Sequence, residues 1–229
     1  MTATEQLLSA VGAADDPNSG GRQMPSHWGH KELNIVSASS PTGTQFVQSV
    51  GCAETWLRLS QMPEDKRPDV PFHGDEVVLC TTGDGTTSEG EFWEALNSAT
   101  NLKLPVVFLV EDNGYAISVP VEVNTPGGSI SKLLVGFPGL FIQEVDGCDP
   151  IASYDTMVRA VEYCRQRKGP ALVHAHVIRP YSHSLSDDEV LYRPASEREA
   201  EASRAPLVPF PKRLLAEGIA TEAELELIR

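Results

Sequence analysis

No apolar run in the 229-residue sequence reaches the roughly 18 residues that a membrane-crossing helix needs, which argues against a helical span. Basic charge is scarce. Lys and Arg number 18 against 32 Asp and Glu, a formal net charge of −14. Affinity for nucleic acid comes largely from Lys and Arg neutralising phosphates, so a non-specific nucleic-acid binder is disfavoured. Acidity alone names no partner. Cysteine is also scarce: Cys52, Cys80, Cys148 and Cys164 form neither a CxxC pair nor a compact disulfide framework. Free thiols in a reducing compartment follow. The first fourteen residues, Met1 to Ala14, have no basic leader and no long apolar centre, so no secretion signal is expected and the predicted location is the cytoplasm.

What is present reads as a globular α/β chain. Hydrophobic residues make up 41% and charged residues 22%, in a chain long enough to bury a sizeable core. Near-continuous apolar runs predict strands over Glu76–Thr81, Val106–Val110, Phe141–Val145 and Ala171–Val177. Cys80, after Val77, Val78 and Leu79, is expected to be buried in the first of them. Helical spacing covers Thr44–Ser60, where Phe46, Val47, Val50, Ala53, Trp56 and Leu57 recur at three- and four-residue steps. Helices are also predicted over Gly90–Asn101 and over Pro150–Arg167, the latter stopped by Gly169-Pro170. Strands alternating with helices predict a mostly parallel sheet with helices on both faces. Residues 1–30 read as an arm, 31–205 as the α/β domain, and 206–229 as a tail with a short helix at Pro211–Glu217 and a new start at Thr221. Met62–Asp75 reads as a surface excursion, and the polar, Pro-punctuated stretch after His176 as a loop. No internal repeat is found.

The chemistry concentrates at Gly83-Asp84-Gly85, directly after the first predicted strand. Ligands of open parallel sheets bind beyond the carboxyl ends of the strands, where glycines let backbone N–H groups approach phosphate. A carboxylate there repels a diphosphate unless a cation bridges the two. Magnesium does so with oxygen ligands, which makes Asp84 a Mg²⁺ ligand. A second ligand is expected at the next strand end, in Glu111-Asp112-Asn113-Gly114-Tyr115, where Asn113 offers an amide oxygen and the turn exposes the Tyr115 carbonyl. Without Asn113 at that place, Gly-Asp-Gly is more simply a tight turn.

At these residues the chain resembles a known family. Gly83–Gly85 with Ser88–Asn97, then Leu104–Phe108 and Asp112–Ser118, is similar to the thiamine diphosphate motif. The nearest likeness is to alpha subunits of branched-chain 2-oxo acid dehydrogenases, with pyruvate dehydrogenases next. Gly21-Arg22-Gln23-Met24-Pro25-Ser26-His27-Trp28-Gly29, Ser39–Gln45 and Ser182–Asp188 with Tyr192-Arg193 resemble further segments of the same subunits. The family has Asn-Asn where this chain has Asp112-Asn113, and Leu-Ala where it has Thr42-Gly43.

The resemblance implies a thiamine diphosphate-binding fold, with cofactor contacts at Ser40, Thr42, Gly83, Asp84, Gly85, Thr86, Asn113, Tyr115 and His183. It implies a potassium site around Ser39, Pro41, Thr44 and Gln45. It makes His183 the active-site histidine, a group that stabilises or shuttles protons. The implied reaction is oxidative decarboxylation of a 2-oxo acid with acyl transfer to a lipoyl-bearing acyltransferase. The implied assembly is a heterotetramer whose beta subunit supplies the carboxylate that activates the cofactor. The family's diphosphate-binding Tyr-Arg pair lies upstream of the segment matched by Gly21. The reading is therefore of a short variant, a fragment or one part of a split or fused enzyme.

Other residues have blander explanations. His174 and His176 alternate on a strand and share one side. They are expected to pack on the sheet, since no third metal ligand is evident in the sequence. His27 and His30 sit in the arm, nearer a pocket mouth or an interface than a metal. Glu89 reads as a cap or a subunit contact, and Asp187-Asp188-Glu189 as a solvated loop. Two competing functions stand: a transketolase-type N-terminal half, separable by assaying ketol transfer, and a non-catalytic assembly subunit, separable by cofactor titration.

Overall fold

The computed structural model describes residues 1–228, which divide into two compact units, 1–45 and the residues from 46 onward. In the first, helix α1 (Ala3–Ala10) starts at a capping box. The Thr2 hydroxyl accepts the Glu5 N–H at 3.2 Å and the Glu5 carboxylate accepts the Thr2 N–H at 2.6 Å. That box fixes the start of the helix within a stretch read from the sequence as an arm. Asp16, buried, gathers the N–H groups of Asn18 and Ser19, so the Asp-Pro-Asn-Ser loop is built on one carboxylate.

The second unit carries most of helix α2 (Thr44–Gln61), followed by strand β1 (Val78–Gly83) and helix α3 (Gly90–Leu102). Strand β2 (Val106–Asp112) leads into a small hairpin, β3 (Tyr115–Ala116) with β4 (Val119–Pro120), and the short helices α4 (Val121–Asn124) and α5 (Ile130–Leu133). Strand β5 (Phe141–Asp146), helix α6 (Pro150–Arg165) and strand β6 (Ala171–His176) complete the sheet. Helices α7 (Ala195–Arg204), α8 (Pro209–Ala216) and α9 (Glu222–Ile228) follow.

The sheet is parallel throughout, in the order β1-β2-β6-β5. Strand alternation sorts its side chains into two cores. Val106, Phe108, Val110 and Leu172 face α2 and α3, where Phe46, Phe92, Ala95 and Leu96 meet them. Val107, Ala171 and Val173 face α6 through Ala160 and Cys164. The predicted helices on both faces are therefore present. Phe46, Phe92 and Phe108 form an aromatic knot with ring centroids 5.1 to 6.5 Å apart. Truncating one such ring costs about 3–5 kcal/mol.

The β1–α3–β2 crossover and the β5–α6–β6 crossover run toward each other and lie on opposite faces. Strand order thus reverses between β2 and β6, and in open parallel sheets ligands bind beyond the carboxyl ends of the strands at such a reversal.

Boundaries moved for local reasons. Strand β1 begins two residues after the predicted start because the Glu76 carboxylate instead closes a loop on the His73 and Gly74 N–H groups. Helix α6 starts where Asp149 caps Ile151 and Ala152, at 2.9 and 3.1 Å. It ends before Arg167, which adopts a left-handed φ of 55°. Helix α7 lies in a stretch expected to be loop. Its sequence is polar all round, without the apolar stripe that marks a helix.

Candidate functional site

Asp84 lies immediately beyond β1, at the head of a 3₁₀ turn over Gly85–Ser88, and is only 2% exposed. The turn closes on its carbonyl, which accepts the Thr87 N–H at 3.1 Å and the Thr87 hydroxyl at 2.7 Å. One carboxylate oxygen, Oδ1, accepts the Asn113 N–H at 3.4 Å. The other, Oδ2, is buried with no hydrogen-bond partner among the described residues. Burial foremost, and then the neighbouring Asp112 charge, push the Asp84 carboxyl above its ordinary range. A buried oxygen of this kind is stabilised by a cation.

Asn113 stands one strand away, at the end of β2. Its Oδ1 accepts the Tyr115 N–H at 3.2 Å, and Gly114, at φ +81°, donates to Asp112 Oδ1 at 2.8 Å. These two side-chain turns aim the loop back over β1. Gly85 permits the approach: a Cβ there would lie 2.6 Å from the Ala116 Cβ. At Gly83 an added Cβ would meet nothing nearer than the Glu111 carbonyl, 3.9 Å away. The structure therefore brings Asp84, Gly85, Asn113 and Tyr115 together, and Thr86 lies within the same 3₁₀ turn. A carboxylate oxygen and an amide oxygen are hard donors, and they fit a hard divalent cation.

Asp112, on the same strand end, is fully engaged. Burial works to raise its carboxyl, but hydrogen bonds from His174 and the Gly114 N–H outweigh it, and the net direction is down. His174 Nε2 lies 2.8 Å from Asp112 Oδ2, and His174 Nδ1 lies 2.9 Å from the Ser131 hydroxyl. Ser131 donates in turn to Glu144 and holds that carboxyl below its ordinary range. His174 is wholly buried, as sheet packing predicts. His176 is half exposed, its ring 4.2 Å from that of His174 and its Nε2 3.7 Å from Glu144. Beside the two histidines, the third potential ligand that the sequence left unidentified is Asp112, hidden because its register opposite His176 appears only once β2 and β6 pair.

The His183 segment is tied to the Tyr115 turn by charged side chains. The His183 backbone N–H donates to Asp187 Oδ2 at 2.9 Å, which also accepts the Tyr192 hydroxyl at 2.6 Å. Those two bonds, the Tyr192 hydroxyl foremost, hold the Asp187 carboxyl below its ordinary range. Arg179 donates to the Tyr192 hydroxyl and to the Ile117 carbonyl, both at 2.7 Å. Arg193, 3% exposed, meets Glu189 at 2.9 Å, Glu197 at 3.1 Å and Glu201 at 2.6 Å, and its guanidinium lies 5.2 Å from the Tyr115 ring centre. Glu189 is buried in this network, which corrects the expectation of a solvated acidic run. Glu89 occupies the N-cap of α3 without a side-chain cap bond.

The remaining predicted residues belong to unit 1–45. Ser39, Ser40, Pro41 and Thr42 are exposed. The Ser40 hydroxyl lies 2.6 Å from His27 Nε2, and the Thr44 hydroxyl donates to the Pro41 carbonyl at 2.8 Å. Gln45 also makes contacts. A separate cavity of about 400 Å³, lined by Cys148, Arg204, Phe210 and Arg213, shares no residue with the Asp84–Asn113 pair. No helix among the described residues is long and apolar enough to cross a membrane.

Over residues 1–229 the chain matches the model of the dehydrogenase E1 component family. It is 37% identical over 224 residues to the 2-oxoisovalerate dehydrogenase subunit alpha of Bacillus subtilis (strain 168), an alignment that covers 97% of this chain and 63% of that one. It is 36% identical over 213 residues to the mitochondrial 2-oxoisovalerate dehydrogenase subunit alpha of Caenorhabditis elegans, covering 93% of this chain and 46% of that one. Among solved structures, transketolase from Campylobacter jejuni aligns with 67% of this chain and 22% of its own, at a TM-score of 0.49 and 18% identity.

Proposed function

Because this chain belongs to the dehydrogenase E1 component family, we propose that it is the alpha-type half of a thiamine diphosphate- and Mg²⁺-dependent 2-oxo acid dehydrogenase. The reaction is oxidative decarboxylation of a 2-oxo acid with transfer of the acyl group to a lipoyl arm. A branched-chain acid is favoured by the names of the relatives, and pyruvate comes next. Discrimination between them rests on methylenes worth only about 1–3 kcal/mol each.

The observation that carries this reading is the buried, unpartnered Oδ2 of Asp84 beside Asn113. Asp84, Asn113 and the Tyr115 carbonyl would hold Mg²⁺, the cation that a diphosphate needs beside a carboxylate. Thiamine diphosphate, when bound, supplies the electron sink for breaking the bond to the carboxylate carbon. Gly85 keeps the Asp84 turn and the Ala116 strand in contact, so the ligands are preset. His183 holds or moves a proton at a ring nitrogen, and Asp187, Tyr192, Arg179 and Arg193 position the segment that carries it. Ser40 and Thr42 add cofactor contacts. Ser39, Pro41, Thr44 and Gln45 would hold the potassium ion that the resemblance implies.

The chain spans 63% of the length of its Bacillus relative, so the whole enzyme's partners belong to the proposal too. A beta-type subunit supplies the carboxylate that activates the cofactor in a heterotetramer, and a lipoyl-bearing acyltransferase takes the product. The location is the cytoplasm. The test is 2-oxo acid oxidation coupled to lipoyl reduction, measured with and without a beta-type partner. Activity only with the partner supports the reading. Decarboxylation by the chain alone, or ketol transfer in its place, overturns it.

A further inference from the structure

We propose that Asp112, His174 and His176 form a second metal site, for a divalent transition-metal ion of the zinc class, at the carboxyl ends of β2 and β6. One ligand atom from each residue lies within 4.8 Å of the other two. The site occupies the reversal in strand order, a different strand boundary from the Asp84–Asn113 pair at β1 and β2. Strand pairing builds it. His176 lies opposite Asp112 in the register, and His174, two residues earlier, turns its ring to the same face.

The surroundings of His174 match those of a metal-ligating histidine. Ser131 has one hydroxyl hydrogen and gives it to Glu144. The bond between Ser131 and His174 Nδ1, 2.9 Å long, is therefore donated by the ring. This leaves Nε2 as the atom aimed at Asp112 Oδ2, 2.8 Å away. Ligating histidines characteristically donate their other ring N–H to a nearby oxygen acceptor, which fixes the tautomer and the ring's orientation. Asp112 Oδ1 is taken by the Gly114 N–H, so the aspartate offers one oxygen, Oδ2, and binds through it alone.

Donor chemistry separates this site from the magnesium pair. Two imidazole nitrogens and one carboxylate oxygen suit zinc-class ions, whereas Asp84 and Asn113 offer only hard oxygens. Three protein ligands with His176 half exposed leave a fourth position open to water. Binding needs both His174 Nε2 and Asp112 Oδ2 free of protons, so any proton shared between them is released to solvent. The proposal does not depend on the decarboxylase reading.

The test is Co²⁺ titration of the metal-stripped full chain in excess Mg²⁺, which fills a hard-oxygen site. The expected result is one Co²⁺ per chain, with the visible d–d absorption of a four- or five-coordinate ion, displaced by Zn²⁺. His176→Ala, at a half-exposed position, weakens uptake about 10-fold or more and removes the band. Asn113→Ala leaves the band intact. Thermal melting of each metal-free variant separates lost ligation from lost fold. The proposal is overturned by no uptake at excess Co²⁺, by a band that survives His176→Ala, or by uptake that Mg²⁺ or Asn113→Ala abolishes.

Discussion

Asp84 and Asp112 stand at the ends of adjacent strands, both buried, yet they differ in direction. Asp84 is raised above its ordinary range and keeps an oxygen without a partner, whereas Asp112 is lowered and has both oxygens engaged. Depth does not separate them, since both are less than 10% exposed. Partners do. Asp112 has the His174 ring and the Gly114 N–H, and Asp84 has a single long bond from Asn113. A buried carboxylate left unsatisfied is open to a ligand as it stands, whereas one satisfied by its own chain must first give up a partner.

Arg193 sharpens that comparison most, because it is a buried charge with three carboxylate partners. Arg193→Leu takes the shared cation from Glu189, Glu197 and Glu201, and the expected loss is about 3–5 kcal/mol in chemical denaturation. Amide exchange should quicken through the His183 segment at the same time. A loss smaller than that of an exposed ion pair would place Arg193 outside the account.

Asp84→Asn should behave oppositely in the absence of ligand. A carboxyl raised in the folded state stabilises the fold below its unfolded value and loses that stabilisation as pH rises through the folded value. Near neutral pH the amide removes this penalty, so the metal-free variant should melt above wild type. Its Mg²⁺-dependent affinity for thiamine diphosphate should fall by about 100-fold or more, beyond what changes behind a ligand cause. A lower melting temperature would break the comparison.

Asp112→Asn should cost about 1–3 kcal/mol, because it removes the acceptor of a buried histidine. A carboxyl lowered in the folded state contributes above its unfolded value and loses that contribution as pH falls through the folded value. The gap between variant and wild type should therefore narrow in acid, as read from denaturation midpoints across an acidic pH series. The smallest change is His183→Ala. The residue is exposed, so stability should move by less than about 0.5 kcal/mol. The rate of the reconstituted enzyme should drop by about 10²–10⁴-fold. An unchanged rate would remove His183 from the site.

Much of this was legible in the sequence where one physical signal dominates. Val106–Val110 reads as a buried parallel strand because it is apolar without interruption, and Asp84 and Asn113 follow from what lies beyond such strands. Helix α7 was not legible, because Ala195–Arg204 has no apolar stripe and is held by the charges of Glu197 and Glu201 on Arg193. Glu189 read as solvated for the same reason: its partner four residues later is visible only once Arg193 is buried. Asp112 read as a neutral departure from a family pattern. Its role depends on Ser131, His174 and Glu144, which three separate chain segments deliver.

The claim on which the rest depends is that Asp84 and Asn113 clamp one divalent cation against a diphosphate. Electron paramagnetic resonance of Mn²⁺, added with thiamine diphosphate to the chain and its beta-type partner, tests it directly. The account predicts one bound Mn²⁺ per chain with phosphorus coupling from the cofactor, lost in Asp84→Asn and in Asn113→Ala but kept in His176→Ala. A bound Mn²⁺ signal unchanged by both of the first two substitutions would contradict it.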